Sequence, residues 1–261
     1  MLERIDHDGI LELRLSRPPV NALVRELLHA LREAIDDAPA AGARALVLSG
    51  SPGIFTAGLD LPHLMAQGIG EVEATWLAFG QVCRALAASP LLSVAAIGGH
   101  SPAGGAVISL YCDYRVMAQS PREPDPMAAR GPFRIGLNEV AVGLFVPDAI
   151  QFALRRLVGP HRAERLMVAG AMPTAEEAQA IGMVDELAPM AEVTPRALAW
   201  LAAMLALPQS AQRETRRIAR RDLLESIDDP ARMDLPRFLA AWQLPETQAV
   251  LRQVLARLGK G

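Results

Sequence analysis

Short apolar runs alternate with stretches of helical periodicity through the first half of the chain, and this alternation constrains the fold more than any other feature. Ala45-Leu-Val-Leu48, Leu91 to Ile97 and Tyr114-Arg-Val-Met117 read as short, largely buried strands. Between them, Ala22 to Ile35 places Leu23, Leu27, Leu28, Leu31 and Ile35 along one helix face. Glu71 to Ala87 is a second helix, and Gly104 to Leu110 is a third, built of small residues that must pack closely. Strands separated by helices pair in parallel, so the expected class is α/β. Ile10 to Leu15, alternating apolar and charged residues, adds another strand.

The second half changes character. Gln119 to Pro132 carries Pro121, Pro124, Pro126 and Pro132 and reads as an exposed loop. Pro147 to about Leu157, His161 to Val168 and Thr174 to Ile181 are helices, the last with Thr174 and Glu177 spaced as a capping box. After Val184 strand signals stop, and residues 195 to 261 are almost wholly helical. Arg213 to Arg221, a basic run within them, reads as a solvated helix face. An α/β body followed by a helical tail implies that the tail covers something, often a neighbouring subunit. Arg17-Pro-Pro-Val-Asn21 is a turn, with Asn21 placed to cap the first helix.

Composition excludes several function classes. With 51% apolar and 21% charged residues in 261, the chain is globular, and a net charge of −3 gives no reason to expect nucleic acid as partner. The apolar stretches are broken well short of a membrane span, so no membrane partner is expected. The segment Met1-Leu-Glu-Arg-Ile-Asp6 has no signal-peptide core. Cys83 and Cys112 do not make a disulfide framework, which points to a reduced, cytoplasmic setting. His7, His29, His63, His100 and His161 show no metal-ligand spacing, and no metal site is expected.

Three segments carry the chemistry: Phe55-Thr-Ala-Gly-Leu-Asp-Leu61, Ser101-Pro-Ala-Gly-Gly105 and Ile135-Gly-Leu-Asn-Glu139. The first two set glycine among small residues soon after an apolar run, where backbone N–H groups can be left free to face a ligand oxygen. The third ends in a carboxylate among Leu137, Val140 and Val142, a setting that strips water from it and raises its pKa. Free N–H donors plus a desolvated carboxylate are the parts needed to remove a proton beside a carbonyl and hold the enolate. Gly99-His-Ser-Pro-Ala103 imitates a hydrolase nucleophile elbow, which makes Ser101 an esterase candidate. Against it, Pro102 has no N–H to donate and His161 is the only histidine downstream. A non-catalytic binding protein is a third class, disfavoured by the presence of both donor segments and Glu139.

In this order and spacing the motifs resemble the crotonase (enoyl-CoA hydratase/isomerase) superfamily, and most of all its mitochondrial-type Δ3,Δ2-enoyl-CoA isomerases. Arg17-Pro-Pro-Val-Asn-Ala-Leu23, Cys112-Asp-Tyr-Arg-Val116 and Ala175-Glu-Glu-Ala-Gln-Ala-Ile-Gly-Met-Val-Asp185 share the resemblance, which covers nearly the whole chain. It implies a crotonase-like spiral of ββα units over residues 1–195 and a helical trimerisation region over 196–261, giving a homotrimer or hexamer. It also implies an acyl-CoA thioester substrate, with CoA part of that substrate and no separate cofactor. Leu59 and Gly104 would supply the N–H groups for the thioester oxygen and Glu139 the base. Ala57, Gly58, Leu59, Asp60 and Leu61 would line the CoA path, and Asn138 would face the acyl part. Asp60 on its own reads as a turn-satisfying residue.

One departure bears on the reaction. The hydratases of the superfamily carry a second glutamate at the position of Val107. Hydration needs two acid/base groups to hold a water, whereas one glutamate suits a proton shuttle from C2 to C4. The expected activity is therefore conversion of 3-enoyl-CoA to 2-trans-enoyl-CoA, with Val107 as a dry wall of the site and hydration as the alternative.

Overall fold

The computed structural model describes residues 1–120 and 131–257; positions 121–130 of the proline-rich stretch lie outside them. The strands in chain order are β1 (Leu2–His7), β2 (Ile10–Leu15), β3 (Ala45–Ser49), β4 (Gly53–Ile54), β5 (Leu92–Ile97), β6 (Gly99–Pro102), β7 (Tyr114–Ala118), β8 (Ile135–Gly136) and β9 (Glu186–Ala188). They form a six-stranded sheet ordered β1-β2-β3-β5-β7-β9 and a three-stranded sheet ordered β4-β6-β8. Only the β1–β2 hairpin is antiparallel; every other pairing in the two sheets is parallel. The helices are α1 (Arg25–Asp37), α2 (Leu61–Gln67), α3 (Ile69–Ala88), α4 (Gly104–Leu110), α5 (Asp148–Val158), α6 (Pro160–Val168), α7 (Ala175–Ala180), α8 (Val193–Leu205), α9 (Gln209–Ala219), α10 (Arg221–Asp228), α11 (Pro230–Met233), α12 (Leu235–Trp242) and α13 (Pro245–Arg257).

The chain advances by a repeated step. A mostly apolar strand enters the large sheet, a short strand follows in the small sheet, and a helix returns. The step is seen in β3-β4-α3, β5-β6-α4 and β7-β8-α5. This is the expected α/β spiral of ββα units. The large-sheet strands β3 and β5 are almost completely buried, which is why they read as apolar runs rather than alternating ones. The small-sheet strands are only two to four residues long and carry Gly, His, Ser and Pro. Nothing in their composition announces a strand.

Several expectations need correction. Strand pairing does not stop at Val184: β9 adds to β7 through Val116, Met117 and Ala118. Asn21 caps no helix, because α1 begins at Arg25. Asn21 is instead buried, with Nδ2 donating to the Phe55 carbonyl at 3.1 Å and Oδ1 accepting from the Arg17 N–H at 2.9 Å. A boundary at residue 195 falls inside α8, and α8 packs on β3, β5 and β7, so this helix belongs to the body.

The tail from α9 onward folds back on its own body. The helix α10 lies against α3 and α5, α12 against α3, and α13 against α2 and the turn after β8. The basic run is a solvated face only in part: Arg213, Arg217 and Arg221 are exposed, Arg216 and Arg220 are not. Arg216 and Arg220 are both partly buried against Asp113, with Nε of Arg216 at 2.8 Å and Nη1 of Arg220 at 3.0 Å from Oδ1. Burial alone would raise the Asp113 pKa, but Arg220 and Arg216 hold it below its usual value. Arg217 is exposed and pairs with Glu214. Among the described residues no single helix is long and apolar enough to cross a membrane. Cys83 and Cys112 are free and buried.

Candidate active site

The three chemical segments leave the C-terminal ends of the three small-sheet strands. Because β4, β6 and β8 are parallel neighbours in that order, the segments emerge side by side. The sheet continues as single bonds past its strands: Phe55 N–H donates to the His100 carbonyl at 2.9 Å, and Ala103 N–H to the Gly136 carbonyl at 2.8 Å. Positions distant in sequence are thus fixed by backbone pairing rather than by side-chain choice.

Pairing also decides which N–H groups stay free. Residues 57–60 run beside 20–23: Ala57 N–H donates to Val20, Leu23 N–H to Gly58, and Asp60 N–H to Leu23. In such a parallel bridge the N–H of the intervening residue, Leu59, points to the other side. Gly58 N–H is taken by the Thr56 hydroxyl at 3.1 Å. Gly104 opens α4, so its N–H lacks an intrahelical acceptor. Among the described residues neither the Leu59 nor the Gly104 N–H has a hydrogen-bond partner. The two segments touch, since a Cβ on Gly58 would lie 3.2 Å from the Gly104 nitrogen. Gly58 also sits at φ +81°, where a side chain is strained. Ala103, just before Gly104, takes φ +45° and turns the backbone into α4.

Glu139 follows β8 and opens a 3-10 turn, Glu139–Val142. Its Oε2 is buried without a hydrogen-bond partner, and so is Asn138 Oδ1. Burial drives the Glu139 pKa from the usual 4.5 up to about 7, partly offset by its own backbone N–H. A carboxyl group with that pKa can both take and return a proton near neutral pH.

These groups share a cavity of about 640 Å³. Ala57, Leu59, Asp60, Leu61, Gly104, Asn138 and Glu139 all line it. Gly58 does not; it supports the wall from behind. Val107 is likewise absent from the lining, contrary to expectation. It lies one turn into α4, whose residues are all buried, and is itself 1% exposed within the core. Asp60 is a structural acid: it caps α2 through the His63 N–H at 3.0 Å and pairs with Arg17 at 2.8 Å. Ser101 is fully buried in β6, away from the cavity lining, and its hydroxyl has no partner, so no histidine activates it.

The rest of the wall was not foreseen. Pro18, Pro19 and Val20 line it, as do apolar Trp76, Phe79, Val142, Leu144 and Ile150. Phe238 of α12 and Val254 of α13 close it from the tail, with the Phe238 ring stacked on Trp76 at 3.7 Å between centroids. Pro18, Pro19, Val20 and Val142 lie in or beside segments the sequence marks, and Trp76 is a large apolar side chain within a helix read from the sequence. Phe238 and Val254 have no such signal, because any apolar tail residue could occupy the contact.

Residues 6–234 match the family model described as enoyl-CoA hydratase/isomerase. The chain is 30% identical over 254 residues to human "Enoyl-CoA delta isomerase 1, mitochondrial", covering 96% of this chain and 80% of that protein. It is 33% identical over 196 residues to a Mycobacterium bovis protein named "Probable enoyl-CoA hydratase EchA17", covering 74% of this chain and 69% of that one. The crystal structure of human mitochondrial delta3-delta2-enoyl-CoA isomerase superimposes with a TM-score of 0.89 at 28% identity, over 99% of this chain and 98% of the other.

Proposed function

This chain belongs to the enoyl-CoA hydratase/isomerase family, and we propose that within it the protein is a Δ3,Δ2-enoyl-CoA isomerase. The observation that carries the reading is the cavity's acid content. Of the two acids lining it among the described residues, Asp60 is engaged by Arg17 and the α2 cap, which leaves Glu139 as the unpaired one. One mobile proton on one carboxyl group suits a shift of a double bond.

In this reading the thioester carbonyl oxygen of a 3-enoyl-CoA accepts from the Leu59 and Gly104 N–H groups. Glu139 takes a C2 proton, and the electron pair delocalises into a dienolate whose oxygen the two donors hold. Each such donor contributes on the order of 3 kcal/mol to the transition state. The same carboxyl group returns the proton at C4, C2–C3 becomes the double bond, and 2-trans-enoyl-CoA leaves. No metal or redox cofactor enters this sequence. The apolar lining residues Trp76, Phe79 and Phe238 would hold the acyl chain.

The test is direct. With 3-enoyl-CoA, conjugated thioester absorbance should grow, and Glu139→Gln should slow this by about 10²–10⁴-fold. Hydration is the second reading, favoured by the identity to the mycobacterial protein named as a hydratase. Loss of 2-enoyl-CoA absorbance as fast as isomerisation would establish it and overturn the first.

A further inference from the structure

The helix α13 does two things at once. Val254 lines the cavity, and Thr247, seven residues earlier on the same helix face, meets the turn that carries Glu139. A helical threonine usually bonds its own backbone locally. Thr247 is buried and sends its hydroxyl to the carbonyl of Gly143, 104 positions away, at 2.9 Å. Gly143 ends the 3-10 turn Glu139–Val142 at φ +81°, with its N–H given to the Val140 carbonyl at 3.1 Å. The next residue, Leu144, donates to the Glu139 carbonyl at 3.1 Å. The fit is close: a Cβ on Gly143 would lie 2.9 Å from Thr247 Cα.

We propose that Thr247 is a positioning residue for Glu139: by clamping Gly143 it lets the C-terminal helix set the aim of the base, on the same helix face that Val254 presents to the acyl chain. The proposal rests on the reading of Glu139 as the base. Glu139 Oε2 has no hydrogen-bond partner, and the bond its carboxyl group does accept comes from its own backbone N–H, so no other residue's side chain is seen to hold its aim. Its placement depends on the backbone turn, and the turn is held from outside by Thr247.

The test compares Thr247→Val, which keeps the shape and removes the hydroxyl, with Thr247→Ser, which keeps the hydroxyl, in the full chain. A misaimed base loses about 10–100-fold in rate. Thr247→Val should lower kcat for 3-enoyl-CoA by about that range with KM nearly unchanged, and Thr247→Ser should restore it. Thr247→Ala removes the same hydroxyl and replaces the valine variant if that one does not fold. Glu139 titration, followed by carboxyl-carbon NMR without substrate, gives a readout independent of turnover. Opening the turn to water should pull its midpoint down from about 7 toward 4.5 in Thr247→Val and leave it in place in Thr247→Ser. A valine variant with unchanged midpoint and rate, or a serine variant as impaired as valine, overturns the clamp. A wild-type protein that titrates near 7 but does not isomerise overturns the isomerase reading alone, and the titration then decides the clamp.

Discussion

Glu139 weakens the folded state at the pH where it is useful. Its carboxyl group is easier to ionise in the unfolded chain, at about 4.5, than in the cavity, at about 7. Below 4.5 it is protonated in both states and has no effect. As pH rises from 4.5 to 7 the unfolded chain releases the proton first, and stability is lost across that window. The full loss is at most on the order of 3 kcal/mol, and less to the extent that the half-buried residue meets water. Glu139→Gln should therefore unfold at higher denaturant concentration than wild type at pH 8, with the advantage shrinking toward pH 5, while losing activity. The base must be ionised to act, so kcat/KM should rise with pH with a midpoint near 7. A flat profile between pH 6 and 8 would assign the chemistry to another group. At this scale much was legible. Glu139 among apolar residues and glycines after apolar runs are local signals, and the structure brings Leu59, Gly104 and Glu139 into one cavity. Val107 misled because helical spacing tells which side of α4 it occupies but not how deep α4 is sunk.

The tail is held by charge as well as by apolar packing. Asp113 receives Arg216 and Arg220 at once, Arg232 reaches Asp148 at 2.6 Å, and Arg84 reaches Asp228 at 2.6 Å. Exposed pairs such as Arg84–Asp228 contribute about 0–1 kcal/mol. The Asp113 cluster is different, because removing its centre strands two largely desolvated guanidinium groups. Asp113→Ala should destabilise by about 3–5 kcal/mol in denaturant titration, and a change below about 1 kcal/mol would show that the tail holds without it. The pH sign is opposite to that of Glu139. The Asp113 pKa is depressed, so its contribution is present above 3.8 and fades as pH falls through the folded value. In the large sheet β2, β3, β5 and β7 were legible to within a residue or two because apolar patterning marks them, whereas β1 and the three-residue β9 were not. The strands β4, β6 and β8 were not, since two to four residues with Gly, His, Ser or Pro carry no period. They became strands because neighbouring turns of the spiral place them together.

For the whole molecule, the tail completes the cavity rather than merely flanking it. Removing residues from 207 onward, while keeping α8 on the sheet, would uncover Trp76 and Phe79 and delete Phe238 and Val254. Such a protein should bind a hydrophobic dye more strongly and bind acyl-CoA more weakly. Unchanged acyl-CoA affinity would show that the tail does not wall the acyl site. We propose in addition that copies of the chain assemble into a homotrimer or hexamer. Val168, 76% exposed on α6, and Ile218 and Leu244, each more than half exposed, are apolar surface that assembly could cover. Light scattering should give three or six times the chain mass of 28.0 kDa, and a monomer at working concentration would refute this. The docking of tail on body was not legible in the sequence. Its contacts join positions as far apart as Arg84 and Asp228 or Trp76 and Phe238, and apolar residues at tail positions are interchangeable until the fold selects among them.

The 104-residue separation between Gly143 and Thr247 also sets a schedule. Ribosomes add about 5–20 residues per second, and N-terminal parts fold first. The growing chain thus carries Leu59, Gly104 and Glu139 for about 5–20 s before the residue that steadies Glu139 has been made. During that interval Trp76 and Phe79 lack their cover. A chain released early would carry every reactive group and an open greasy cleft, a species that chaperones should recognise and that should be prone to aggregate.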